Sequence, residues 1–137
     1  MRLSVWTHVA GVVRIEALPA EIRKRPSVAE VEDVFKKDIP EGSEGPLNID
    51  VVVVKDASYS ILFCNVIVWG DLRDFGWKDV QKIADWIERV RKDLDELGLI
   101  MGQAVIAIDA EDGGTLVLCK KRHWVRLKIH VPEEDEE

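Results

Sequence analysis

The order in which apolar stretches of two different periods follow one another constrains this chain most. Residues 3–16 alternate with period two. Residues 28–39 repeat at threes and fours. Residues 49–55 and 60–69 are two further β-type runs. Residues 77–97 form a long helical stripe, and residues 103–110 return to β character. The sequence therefore predicts strand, helix, strand, strand, helix, strand, followed by a strand pair at 115–120 and 124–131. A chain of 137 residues has mass enough to bury a core around that series.

Local signals punctuate each segment. Gly11 interrupts the first run and predicts a bulge or a close backbone approach. In that run Val9, Val13 and Ile15 share one face, while Trp6, His8, Ala10, Val12 and Arg14 share the other. Pro26 cannot give a ladder hydrogen bond, and Ser27-Val28-Ala29-Glu30 spells a capping box. Val28, Val31, Val34, Phe35 and Ile39 form the first helical stripe, which stops at Pro40. The turn-rich stretch 41–48 contains Gly42-Ser43-Glu44-Gly45. Asp56-Ala57-Ser58 predicts a hairpin turn. Along the second helix Val80, Ile83, Ala84, Ile87, Val90, Leu94 and Leu97 share a stripe, and Gly98 ends it in the left-handed region. Asp112-Gly113-Gly114 predicts another hairpin. In the last run Val125, Leu127, Ile129 and Val131 are expected to face inward, and Trp124, Arg126, Lys128 and His130 outward.

Two crossovers of the usual right hand turn this order into an α+β, ferredoxin-like βαββαβ fold. It is an antiparallel sheet in the order 4-1-3-2 with two helices on one face, plus the C-terminal strand pair. One domain is expected over 1–131, and residues 132–137 are expected to be an acidic, solvated tail. That tail accounts for most of the formal charge of −7 and leaves the body close to neutral, which argues against nucleic acid as a partner. No apolar run reaches the ~20 residues that cross a bilayer, and the first residues lack a signal-peptide pattern. Cys64 and Cys119 are not spaced as a C-x-x-C motif, which fits a reducing, cytoplasmic setting.

The same topology gathers the polar motifs at one end of the sheet. Trp6-Thr7-His8, the Ser43-Glu44 turn, the Asp71-Arg73-Asp74 loop after Trp69, and Asp109-Ala110-Glu111-Asp112 become neighbours. The long helix starts there as well, and its free N–H groups would favour an anion. The candidate ligand- or partner-binding residues are thus Trp6, His8, Ser43, Glu44, Trp69, Asp71, Arg73, Asp74 and Asp109. The blander expectation for two of them is that Asp74 caps the long helix and Arg73 pairs with a nearby acid. His8 has no second histidine at metal-ligand spacing, so no metal is expected. The glycine turn lacks the Lys-Ser/Thr of a P-loop, and no serine or cysteine lies in a nucleophile motif. No catalytic set and no cofactor emerge. Lys120-Lys121-Arg122-His123 beside Trp124 could contact phosphates, but an edge strand guarded by charge is the simpler reading.

Four blocks carry a resemblance. They are residues 6–16, Gly42-Ser43-Glu44-Gly45, Trp69-Gly70-Asp71-Leu72-Arg73-Asp74, and Gln103-Ala104-Val105-Ile106. Together they resemble a group of small uncharacterised proteins encoded by bacteriophages and prophages. The resemblance covers about a quarter of the chain and implies a phage accessory protein acting in the bacterial cytoplasm. It carries no catalytic role with it.

The leading expectation is a non-enzymatic protein that binds a host or phage protein, perturbing a host function, and that could form a homo-oligomer. A second is a small-anion or nucleotide binder using the glycine turn, the helix start and Arg73. A third is a divalent-cation enzyme built on Asp71, Asp74 and Asp109.

Overall fold

The computed structural model describes residues 4–17, 26–54, 63–121 and 123–129. The turn at Asp56-Ala57-Ser58, Arg122, His130, Val131 and the tail 132–137 lie outside them. The described elements run β1 (Trp6–Ala17), α1 (Val28–Lys36), β2 (Glu41–Gly42), β3 (Gly45–Pro46), β4 (Asn48–Val54), β5 (Phe63–Arg73), α2 (Val80–Glu96), β6 (Leu99–Ala110), β7 (Gly114–Lys120) and β8 (Trp124–Ile129). A short 3-10 turn, Trp77–Asp79, leads into α2. This is a mixed α+β architecture. Six strands form one antiparallel sheet in the order β4-β5-β1-β6-β7-β8, and β2 and β3 make a separate two-residue hairpin.

The local signals explain the elements. Ser27 Oγ accepts from the Glu30 N–H at 3.2 Å, and the Glu30 carboxylate accepts from the Ser27 N–H at 3.3 Å. That reciprocal cap fixes the start of α1. The long helix begins with its apolar stripe at Val80, three residues later than the start expected at residue 77. Gly76 and the 3-10 turn precede it, and Asp79 Oδ2 accepts from the Gly76 N–H at 3.1 Å. It stops at Gly98, whose φ of 76° suits a residue without Cβ.

Both helices lie on one face of the sheet. Val31 and Phe35 of α1 join Ile83, Ile87, Val90 and Leu94 of α2 over Val13, Ile15, Val66, Leu72, Ile106 and Ile108. Trp86 closes the seam between the helices. Its ring meets Phe35 edge-on at 6.1 Å, and its indole N–H donates to the Phe35 carbonyl at 3.0 Å. Cys64 is in this core, where burial pushes its thiol up to about 11.

Gly11 marks a close approach. A Cβ there would stand 2.8 Å from both the Val105 carbonyl oxygen and Ile106 Cγ1. The register shift against β6 falls further along, between Val13 and Ile15.

Among the described residues no helix covers the opposite face of the sheet. Val12 (47% exposed), Trp69 (43%) and Val105 (51%) open onto it. The last strand reverses the expected orientation of its faces. Trp124 and Arg126 turn toward α2, where the Trp124 indole donates to Glu88 at 3.0 Å and Arg126 donates to Gln81 at 2.8 Å. Val125 and Leu127, each 52% exposed, join the open face instead. The indole has more surface to bury than valine does, and it finds a carboxylate acceptor beside the core. Trp124 is therefore turned away from the open face.

Candidate functional site

Antiparallel pairing sets the site. β1 and β4 start at the end of the sheet where β5 and β6 finish. Trp6 pairs with Arg73, His8 with both Asp71 and Asp109, and Trp69 with both Ala10 and Asn48. The β2–β3 hairpin closes over the end of β5. Gly42 is needed there, because a Cβ would fall 2.5 Å from the Arg73 carbonyl oxygen. The Ser43 N–H then donates to that carbonyl at 2.9 Å.

Two linked clusters result. In the first, His8 on the open face bridges two carboxylates. Nδ1 lies 2.6 Å from Asp71 Oδ1, and Nε2 lies 3.2 Å from Glu111 Oε2. The Asp71 hydrogen bond, and after it the Glu111 one, raises the His8 pKa above the ordinary value. With an acceptor at each nitrogen, both N–H groups are used only when the ring is an imidazolium. That form has no lone pair left to take a proton. Asp109 sits opposite His8 and accepts from Thr115 Oγ1 at 3.1 Å.

The second cluster lies at the strand ends and just beyond them. Arg73 Nη1 is 3.6 Å from Glu44 Oε2, its Nε donates to Ser4 Oγ at 3.0 Å, and its guanidinium sits 6.0 Å from the Trp6 ring centre. Ser43 Oγ donates to Asp74 Oδ2 at 2.6 Å. Asp74 does not cap α2. It takes a left-handed turn (φ 57°), and its N–H donates to the Val5 carbonyl at 2.7 Å. A short acidic side chain tolerates that conformation. Trp6 joins the clusters: its N–H donates to Glu111 Oε1 at 3.2 Å, and its ring lies beside Arg73.

Eight of the nine candidates thus fall into these two clusters, and Trp69 stands one step inward on the open face. Sequence reasoning missed Glu111 as a partner of His8. Its parity with Asp109 along one strand run was the available signal. It also missed Thr7, which is fully buried and whose hydroxyl donates to the Phe75 carbonyl at 2.5 Å, tying the loop before α2 to β1.

The Ser43, Thr7 and Thr115 hydroxyls donate to Asp74, a buried carbonyl and Asp109, respectively. Among the described residues no group of three or more His, Cys, Asp or Glu side chains is placed to hold a metal ion. The approach to α2 is already occupied by carboxylates: the Trp77 N–H donates to Asp112 Oδ1 at 2.8 Å, and the Gly76 N–H to Asp79. A separate groove of about 250 Å³ runs between α2 and β7–β8, lined by Ala84, Glu88, Leu118, Trp124 and Arg126. There the Arg91 guanidinium holds the Glu88 carboxyl below its usual range. No helix among the described residues is long and apolar enough to cross a membrane.

No protein-family model, no curated protein and no solved structure matches this chain.

Proposed function

We propose that this is a non-enzymatic binding protein that recognises another protein through the polar end of its sheet. The observation that carries this is the half-buried group around Arg73. A guanidinium flanked by an indole, a carboxylate and a hydroxyl, on rigid strand ends, is the chemistry of a protein-recognition hot spot. Hydroxyls engaged by acceptors and a histidine held between two carboxylates fit binding better than turnover. In this reading the fold is ferredoxin-like with an added strand pair. The order β4-β5-β1-β6, with α1 and α2 in the crossovers, supports that assignment. The partner is a host or phage protein met in the bacterial cytoplasm, as the resemblance to phage accessory proteins implies.

The small-anion alternative has less behind it, because the Ser43 and Trp77 N–H groups are already spent on the chain's own acceptors. The cation-dependent alternative needs Asp71, Asp74 and Asp109 to converge, yet they bond to His8, Ser43 and Thr115 in turn.

The test is affinity capture from bacterial lysate, with and without phage infection. The tagged chain is compared with its Arg73→Ala and Glu44→Ala variants at matched thermal stability. The reading expects a protein retained by the parent chain and lost, at least in part, by both variants. Retention unchanged by either substitution would refute it.

A further inference from the structure

The open face of the sheet raises a separate question, which is what covers it. Apolar side chains run across its middle in two consecutive rows. The Ala10 row continues through Trp69, Ala107, Val117 and Leu127, and the Val12 row through Ile67, Val105, Cys119 and Val125. Along the strands the rows are flanked by His8, Asp71 and Asp109 on one side and by Arg14 and Asn65 on the other. We infer that this face is a docking surface for a second copy of the same chain, the two sheets stacking face to face about a two-fold axis.

Size is the first argument. Six strands at ~4.8 Å spacing give a width of ~29 Å, and the stretch from His8 to Arg14 at ~3.3 Å per residue gives a length of ~20 Å. The product, ~600 Å² per copy or ~1,200 Å² in all, reaches the range of specific, stable interfaces.

Charge is the second argument. At one end of the face Asp71, Asp109 and Glu111 surround His8. At the other end stand Arg14, paired with Glu16 at 3.0 Å, and the exposed Lys121 that follows β7, while Lys120, the last residue of β7, is on the helix side and donates to the Met101 carbonyl at 3.0 Å. The first end is net acidic and the second net basic. An in-plane two-fold axis perpendicular to the strands lays the acidic end of each copy over the basic end of the other. One patch thereby complements itself, as an isologous interface requires. The same carboxylates would repel a nucleic acid backbone. Arg73, the last residue of β5, and Ser43, Glu44 and Asp74 beyond it lie outside the His8–Arg14 stretch that stacks. The dimer therefore does not depend on the recognition site proposed above.

Sedimentation equilibrium of the full chain from about 1 μM to about 1 mM tests the inference. The expected result is a species of twice the chain mass. Val105→Glu at the centre of the face, and independently Leu127→Glu, should return it to monomer with an unchanged far-UV circular dichroism spectrum. Arg14→Glu should weaken the dimer at least severalfold, and Arg73→Ala should leave it intact. A monomer at the highest concentration overturns the inference. So does a dimer that survives both glutamate substitutions, because its interface would then lie at an edge strand or on the helices.

Discussion

Replacing Thr7 by valine tests how the end of the sheet is held in place. Thr7 is fully buried, and its hydroxyl reaches the carbonyl of Phe75, itself in the core, at 2.5 Å. Valine has nearly the same shape, so the change opens no cavity. It removes the donor from a buried acceptor, which costs about 1–3 kcal/mol. The extra methyl carbon returns at most about 0.8 kcal/mol. A net loss of about 1–2 kcal/mol is expected. For 137 residues the unfolding entropy is about 0.3 kcal/mol/K, so the melting temperature should fall by about 3–7 °C. Urea denaturation at one fixed protein concentration measures the loss directly, since any self-association would make stability depend on concentration. Amide exchange at residues 74–76 should quicken in step. Thr7→Ser keeps the donor and loses only a methyl group, which separates hydrogen bonding from packing. A valine variant as stable as the parent would show that the Thr7–Phe75 bond does not anchor the loop.

Two further outcomes follow from the same geometry. Gly11→Ala should destabilise by at least about 1–3 kcal/mol, because its Cβ would press on backbone atoms of β6. Gly102→Ala, with its nearest neighbours at 3.5 Å, should cost no more than about 0.5 kcal/mol; equal melting temperatures for the two would contradict the close approach. His8 should titrate by NMR with a midpoint above its ordinary value of 6.5, and Asp71→Asn should lower that midpoint more than Glu111→Gln. Because the folded pKa is the higher one, the stability His8 adds over a His8→Asn variant is full below about pH 6.5 and disappears as pH rises through the folded midpoint. A midpoint at or below 6.5 would remove the double carboxylate contact from the account.

Much of the architecture was legible because it is set by near neighbours in sequence. The Ser27–Glu30 cap, the α2 stripe from Val80 to Leu94 and the stop at Gly98 all follow from spacings of three and four. The α+β class follows from the order of the periods. The convergence of Glu44 on Arg73 was legible too, since antiparallel strands place alternate chain ends side by side. The start of α2 was misread, because nothing local shows that Asp74 will turn left-handed and leave a 3-10 turn to begin the helix.

The sequence alone determined which residues share a face and which share an end of the sheet, because a period of two or 3.6 is a property of the backbone. It could not determine which face meets the core. In β8 both parities carry bulky side chains, and the choice fell to Trp124 because α2 offered its indole both apolar cover and the Glu88 carboxylate. Tertiary structure likewise decided that His8 lies between Asp71 and Glu111, residues 63 and 103 positions away. Such contacts depend on strand register and on competition for burial, and those energies exist only once the chain has closed on itself.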